Sequence, residues 1–351
     1  MTPDELARRV DDGELVRQVS LAGANLAGRT YRAADFDHVD FSGADLRQAN
    51  LGRSNFIHCT LAGANLAAAH LGRVNFVECD LADASLVGAK MERSKFIKCD
   101  LARARLSETL LLHVAMAECD LSGTIFTGVR FERSSLVKCT TAEIDISQTE
   151  WYRAVFLNAD LRAARMEGAR FSRSTLIGAN FAGRALPGLA VAACALSDAD
   201  FTGCDLAGAD LAQCMLFGTR LAGAVLQDAN LARAVLQNAI MQQADLTNAD
   251  LTQAILIGAD ATEAIFSNAT LFQCCATGLI AAGADFRGAD LRNADFSHAT
   301  LDRANLDGVT LDRTNFHAVS EQDAVFPSRQ GALAADPDRT MADAWPQHAN
   351  A

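Results

Sequence analysis

Residues 72–91 read GRVNFVECDLADASLVGAKM, and residues 92–111 continue as ERSKFIKCDLARARLSETLL. The block before them, residues 52–71, reads GRSNFIHCTLAGANLAAAHL, and the three blocks align without a gap. Each block divides into four fives. Every five has a large apolar residue at its centre and a small one two places earlier, as in Cys79 before Leu81 and Ala84 before Leu86. Neither the 3.6-residue period of a helix nor the two-residue alternation of an ordinary strand closes every five residues. Two inward positions in five describe a short straight side and then a corner. A superrepeat of twenty favours a coil of four sides over one of three.

The register begins at Leu21 and does not slip until Phe326. Of 62 centre positions, 57 are large and apolar; the exceptions are Thr141, Ala261, Ala276, Ala281 and Glu321. Of the 62 positions two residues earlier, 57 hold Ala, Ser, Cys, Thr or Val; the exceptions are Arg29, Ile144, Arg184, Leu189 and Leu279. Small residues let the corners close round a narrow interior, and stacked Leu and Phe fill it at crystal-like density.

In this the chain resembles the pentapeptide-repeat proteins, whose motif is A-(D/N)-L-x-x. Ala24-Asn25-Leu26, Ala44-Asp45-Leu46, Ala64-Asn65-Leu66, Ala209-Asp210-Leu211, Ala244-Asp245-Leu246 and Ala294-Asp295-Phe296 match it directly. The resemblance covers residues 21–326 and implies an all-β fold, a right-handed quadrilateral parallel β-helix. About fifteen coils at about 4.8 Å would make a rod about 70 Å long. Each coil needs its neighbours to bury its core, so stability is shared along the stack. The opening MTPDEL and the F-x-x-C-D-L variant of the repeat are also similar to pentapeptide-repeat proteins associated with type VI secretion loci.

Residues 1–20 are expected to form a helical cap. Thr2 suits the N-cap, Pro3 the first turn, and Asp4 and Glu5 the positive end of the helix dipole. Leu6 and Val10 supply one apolar edge, and Gly13 a stop. A polar terminal unit of this kind closes the open end of a stack. Residues 327–351 lose the period, are polar and proline-containing, and are expected to form a disordered tail with Trp345 as its one large hydrophobe. Two stretches strain the pattern: 140–151, with Thr141 at a centre and Ile144 at a small position, and 182–193, with Arg184 and Leu189 at small positions around Pro187 and Gly188. Distorted coils or a bend are expected there rather than inserted loops or a domain boundary.

Composition narrows the function classes. The 351 residues carry a net charge of −12, which argues against a general nucleic-acid-binding surface and against adhesion to anionic membranes. No stretch has the ~18 consecutive apolar residues of a membrane span, and the polar start is unlike a signal peptide, so a cytoplasmic location is expected; a secretion route that needs no cleaved signal stays open. Nine of the ten cysteines occupy the inward small position, and Cys59, Cys79, Cys99, Cys119 and Cys139 recur every twenty residues. They are expected to fill the core as one column; no zinc-ligand spacing accompanies them, and parallel side chains in register aim poorly for a disulfide. The sequence shows no nucleophile elbow, phosphate-cradling loop or dinucleotide signature, and a filled interior leaves no deep pocket. No enzyme activity, metal or cofactor is expected.

Residues twenty apart stack vertically, so the outer columns can be traced in the sequence. One column is Arg53, Arg73, Arg93, His113, Arg133, Arg153 and Arg173. Four places on runs Ile57, Val77, Ile97, Ala117, Val137, Leu157 and Ile177, beside His58, Glu78, Lys98, Glu118 and Lys138. A further column holds Asp40, Asp80, Asp100, Asp120, Asp160 and Asp200. Two accounts of the aliphatic column stand: β-branched residues suit a straight sheet face, or contiguous exposed apolar surface flanked by arginines marks a protein-interaction face. The second makes the chain a non-catalytic binding scaffold for a protein partner. The alternative, implied by the family, is a DNA-mimicking protector of gyrase against its poisons. Residues 201–351, with 8 basic and 18 acidic side chains, fit that reading; residues 51–200, with 17 and 16, do not. Several family members dimerise through a C-terminal apolar segment that has no convincing counterpart here, so the sequence does not support a homodimer.

Overall fold

The computed structural model describes residues 1–326 and 328–333. They fall into two compact units, Met1–Asn180 and Phe181–Ala351, and in each the chain winds as a β-solenoid of stacked parallel turns. The five-residue register runs on through the junction, which lies just ahead of the stretch 182–193.

In the first unit, an eight-stranded parallel sheet is built from β1 (Val16–Arg17), β2 (Asp35–Asp37), β3 (Asn55–Ile57), β4 (Asn75–Val77), β5 (Lys95–Ile97), β7 (Ala115–Ala117), β9 (Ser135–Val137) and β11 (Val155–Leu157). Partners lie twenty residues apart: Phe36 opposite Phe56, Phe56 opposite Phe76, Phe76 opposite Phe96. Their rings follow at 4.8, 4.8 and 4.9 Å between centroids, so the core repeats at the backbone rise of a parallel sheet. A second side carries a four-stranded sheet of β6 (Leu110–Leu112), β8 (Arg130–Glu132), β10 (Glu150–Tyr152) and β12 (Arg170–Ser172). There Trp151 packs flat on Phe131 at 3.6 Å, and its indole N–H donates to Thr149 Oγ1.

Elsewhere a side holds a single paired residue, as at Asp205↔Val225↔Asp245↔Ile265 in the second unit. Where the residue before the centre is Asp or Asn, the bond its side chain makes goes with the form of the side. Asp80 and Asp245 turn a carboxylate back onto the amide two residues on, at 2.9 and 3.0 Å, and bend the side into a turn. Asn75 and Asn55 instead donate sideways, to Asn55 and Asp35 at 2.7 Å, which leaves the β-branched Ile57 and Val77 in extended backbone. Strands therefore count eight turns, fewer than the about fifteen coils the period implies, because most sides are too short to hold more than one pair.

Large side chains that leave their usual position are compensated locally. Leu279, at a small position, is fully buried between Ala276 and Ala281, which stand at centres. The volume moves by one position and the core stays filled. Ile144 is likewise buried, and Asp145 pairs with Ile125 and Arg165, so the stretch 140–151 adds no loop. Glu321, at a centre position, is exposed near the end of the periodic segment.

At the N-terminus, α1 (Pro3–Asp11) is capped by Thr2, whose hydroxyl accepts the Glu5 amide at 3.2 Å, and it buries Leu6 and Val10. Arg29, an exception at a small position, donates from its guanidinium to Asp4 of this helix. In the segment expected to lack structure, residues 328–333 turn back on the last coil: Ala332 pairs with Thr314, and Arg313 donates to the Gly331 carbonyl. The reversal needs φ +97° at Gly331, a value that glycine alone adopts readily. Residue 327 and residues 334–351, including Trp345, lie outside the described residues.

Candidate interaction face

At nearly every corner, two residues beyond the centre, the backbone is left-handed. Glycine fills it at Gly43, Gly63 and Gly203, but Arg53, Arg73, Arg93, Arg133, Arg153 and Arg173 fill it at φ between 50° and 67°. A side chain there costs about 1 kcal/mol or more relative to glycine. The arginines therefore occupy positions where the backbone prefers something else, one per coil, with His113 completing the column.

All six arginines are exposed. Arg93 lies 3.6 Å from the Glu92 carboxylate, and Arg153 stands over the Tyr152 ring at 5.3 Å. Arg53, Arg73, Arg133 and Arg173 have no ion pair or side-chain hydrogen bond among the described residues. Other arginines are spent locally. Arg47, Arg162, Arg287 and Arg292 each fork onto the aspartate two residues back at 2.6–2.7 Å. The corner column is thus a basic ridge in which Arg53, Arg73, Arg133 and Arg173 carry charge that no neighbouring anion neutralises.

Past the inward small residue, the eight-stranded sheet presents the aliphatic column from Ile57 to Leu157, and Ile177 follows in a turn. Ile57, Ile97 and Ile177 are 40%, 38% and 37% exposed, while Val77, Ala117, Val137 and Leu157 are half-buried between neighbours. Ile57 pairs with Val77 and Val77 with Ile97, so these side chains emerge in register on one flat face. The far corner is closed by His58, Glu78 and Lys98, with Glu78 3.3 Å from His58 and 3.7 Å from Lys98. The structure therefore brings together Arg53, Ile57, Arg73, Val77, Arg93, Ile97, Arg133, Val137, Arg153, Leu157, Arg173 and Ile177 along one side of the first unit.

The aspartates of the acidic column do another job. Asp40, Asp80, Asp100, Asp120, Asp160 and Asp200 each accept the amide two residues on, at 2.8–3.2 Å. The Ser42 hydroxyl and amide hold the Asp40 carboxyl below the usual carboxylate range, and the forked Arg162 does the same for Asp160. They are structural anions that hold corners.

Inside, Cys79, Cys99 and Cys119 direct their thiols at carbonyls of the coil below, at 3.3–3.5 Å. Thiol contacts with Cys59 and Cys99, together with burial, push the Cys79 thiol up. Burial does the same for Cys214, to about 12. The Cys79 and Cys214 thiols therefore stay protonated, and the buried column serves as packing. The buried Ser54, Ser134 and Ser174 were hidden among small residues in the sequence. Each accepts an amide and donates to a carbonyl of the preceding coil, as Ser54 does with Ala34 and Tyr31. Among the described residues no group of three or more His, Cys, Asp or Glu is placed to hold a metal, and no helix is long and apolar enough to cross a membrane.

A stacked-coil β-solenoid with one basic and apolar side belongs to the class of repeat proteins that offer surfaces rather than cavities. The chain belongs to the pentapeptide-repeat family: a model of the pentapeptide repeat region matches residues 49–126, and one of pentapeptide repeats in eight copies matches 20–56, 153–183, 194–231, 229–268 and 282–317. Among solved structures, it is similar to HetL, a pentapeptide repeat protein involved in heterocyst differentiation regulation in the cyanobacterium Nostoc sp. strain PCC 7120. The two are 25% identical over 80% of this chain and 97% of that one, with a TM-score of 0.22. It is similar also to full-length QnrB1, a plasmid-mediated fluoroquinolone resistance protein, at 17% identity over 61% and 92% with a TM-score of 0.28. A third is Rfr23 of the cyanobacterium Cyanothece 51142, at 20% identity over 43% and 90% with a TM-score of 0.11. No curated protein matches.

Proposed function

We propose that this chain is a non-catalytic scaffold that binds a protein partner through the side of the first unit between the arginine ridge and the His58–Glu78–Lys98 corner. One observation carries the reading: Ile57, Val77 and Ile97 stand in register on an open sheet face beside guanidiniums left without anionic partners. Apolar area supplies affinity when it is covered, and unpaired charge at its rim supplies selectivity and encounter rate. The Ile57/Val77/Ile97→Lys variant keeps the fold, because Lys95 and Lys98 already occupy the same face. In affinity capture from the native cell it loses the partner that the unaltered chain retains. Equal recovery of that partner by both would sink the assignment.

A second reading rests on charge. Residues 181–351 carry 9 basic and 20 acidic side chains, against 22 and 23 in residues 1–180. So uneven a distribution suits an acidic surface that stands in for a nucleic-acid duplex at a topoisomerase such as gyrase. Its test is a supercoiling assay with a gyrase poison: protection at low stoichiometry would place this reading first.

A further inference from the structure

The side of the first unit next to the arginine ridge contains a notch. The outward position one residue past the centre holds Arg32, Gly52, Gly72, Glu92, Leu112, Glu132 and Tyr152 in successive coils. Backbone conformation does not demand the two glycines, since neither lies in the left-handed region. Space does not demand the second of them: a Cβ on Gly72 would meet nothing nearer than the Glu92 carbonyl at 3.8 Å, whereas one on Gly52 would come within 3.3 Å of Asn50 Oδ1. What the missing side chains leave is a surface depression of about 210 Å³. Arg32, Arg53, Arg73 and His70 stand round it, and Glu92 closes one end. Glu92 also lies near Arg93, at 3.6 Å. Arg32, Arg53 and Arg73 have no anionic partner among the described residues.

We propose that this notch is a carboxylate-binding site, and that it takes an acidic side chain from an Asp/Glu-rich segment of the partner that docks on the neighbouring aliphatic face. The inference rests on the scaffold reading and names its partner's chemistry. Three guanidiniums brought together by successive coils repel one another until an anion lies between them. Their planar forks suit a carboxylate, which accepts two parallel N–H donors. The glycine floor lets the anion approach the ridge from the side, where several cations reach it at once. The ridge beyond, through Arg93, Arg133, Arg153 and Arg173, continues the positive track along which an acidic segment can run.

The test uses the full chain and a dye-labelled hexaglutamate peptide, read by fluorescence anisotropy. The unaltered protein binds the peptide, binds a hexaglutamine control at least about ten-fold more weakly, and loses affinity as salt rises. Gly72→Leu fills the notch with a side chain that Leu112 already shows to fit its column, and Gly72→Glu fills it with an acid as at Glu132. Each weakens hexaglutamate binding by about ten-fold or more at an unchanged melting temperature. Lys138→Glu, a charge reversal at the far corner of the face, leaves binding within about two-fold. The site is overturned if the unaltered chain ignores hexaglutamate, if both Gly72 variants bind it normally, or if Lys138→Glu is as damaging as they are. Binding of inorganic phosphate at millimolar concentration, measured by calorimetry, by a chain that ignores hexaglutamate would also overturn it, in favour of a small-phosphate site. The docking face is tested separately by partner capture with Ile57/Val77/Ile97→Lys, so either proposal can fail while the other stands.

Discussion

The coils around Phe76 and those around Phe286 hide the same interior and show solvent different exteriors. Phe76 stacks between Phe56 and Phe96 at 4.8 and 4.9 Å, and Phe286 lies on Phe266 at 4.8 Å. Outside, the first set carries an unpaired ridge at Arg53 and Arg73, whereas Arg287 and Arg292 of the second are clasped by Asp285 and Asp290 at 2.6 Å. The first unit uses the same clasp at Arg47 and Arg162, away from the ridge. The interior is therefore set by the repeat and the exterior is free to differ, which makes a difference in the exterior informative about function.

The largest expected effect tests whether the interiors are equivalent. Phe76→Ala and Phe286→Ala each delete a fully buried ring from a stack. Each costs about 3–5 kcal/mol, the usual price of an aromatic cavity. Urea unfolding followed by circular dichroism measures both. A cost for one variant below about half that of the other would mean the two interiors differ in packing despite their common spacing.

The period made the inside legible because its inward positions answer to one constraint, the width of the coil. The inward places of Val74, Phe76, Cys79 and Leu81 follow from the period alone, and so does the stacking of the Arg and Ile columns twenty residues apart. Three features were not legible. Which sides become strands depends on whether Asn55 bonds its own turn or the next coil, a choice that the residue type alone leaves open. Ser54 and Ser134 look like any other small residue until the amide and carbonyl of the preceding coil are in place. The notch at Gly52 and Gly72 passes for the glycine common at corners, although these two sit one residue short of the corner, where a glycine signals missing volume rather than unusual backbone. Comparing that one column rung by rung would have shown it.

A middle-sized effect concerns the ridge itself. Arg73→Gly relieves a left-handed side chain and should raise stability by about 0.5–1 kcal/mol, less whatever glycine adds to the freedom of the unfolded chain. Gly208→Arg makes the reverse exchange in the second unit, at φ +64° with open space round the new Cβ, and should lower stability by a similar amount. If Arg73→Gly is destabilising in thermal unfolding, the arginine holds the coil together and the ridge is not a feature kept at the expense of stability. If it stabilises while hexaglutamate binding falls, the ridge is retained for recognition.

The smallest effect separates clasped from unclasped arginines by pH. Hydrogen bonding from Arg287 and Arg292 holds the Asp285 and Asp290 carboxyls below their ordinary range. A carboxyl whose folded-state pKa is lowered stabilises the fold above its unfolded-state pKa and loses that contribution as pH falls through the folded value. The clasps should therefore act in full at neutral pH and fade below about pH 4, where unfolded aspartate begins to protonate. The guanidinium side of each pair is exposed, so Arg287→Ala/Arg292→Ala should lower the melting temperature by no more than about 2 °C at pH 7. Once the pH has fallen through the folded-state values the variant and the unaltered protein should melt together. Arg133→Ala/Arg173→Ala removes ridge arginines that clasp nothing, so its difference from the unaltered protein should not follow the same acid titration. A shared pH dependence would show that the ridge is tied to carboxylates of its own chain, and the contrast between the two exteriors would then be one of degree.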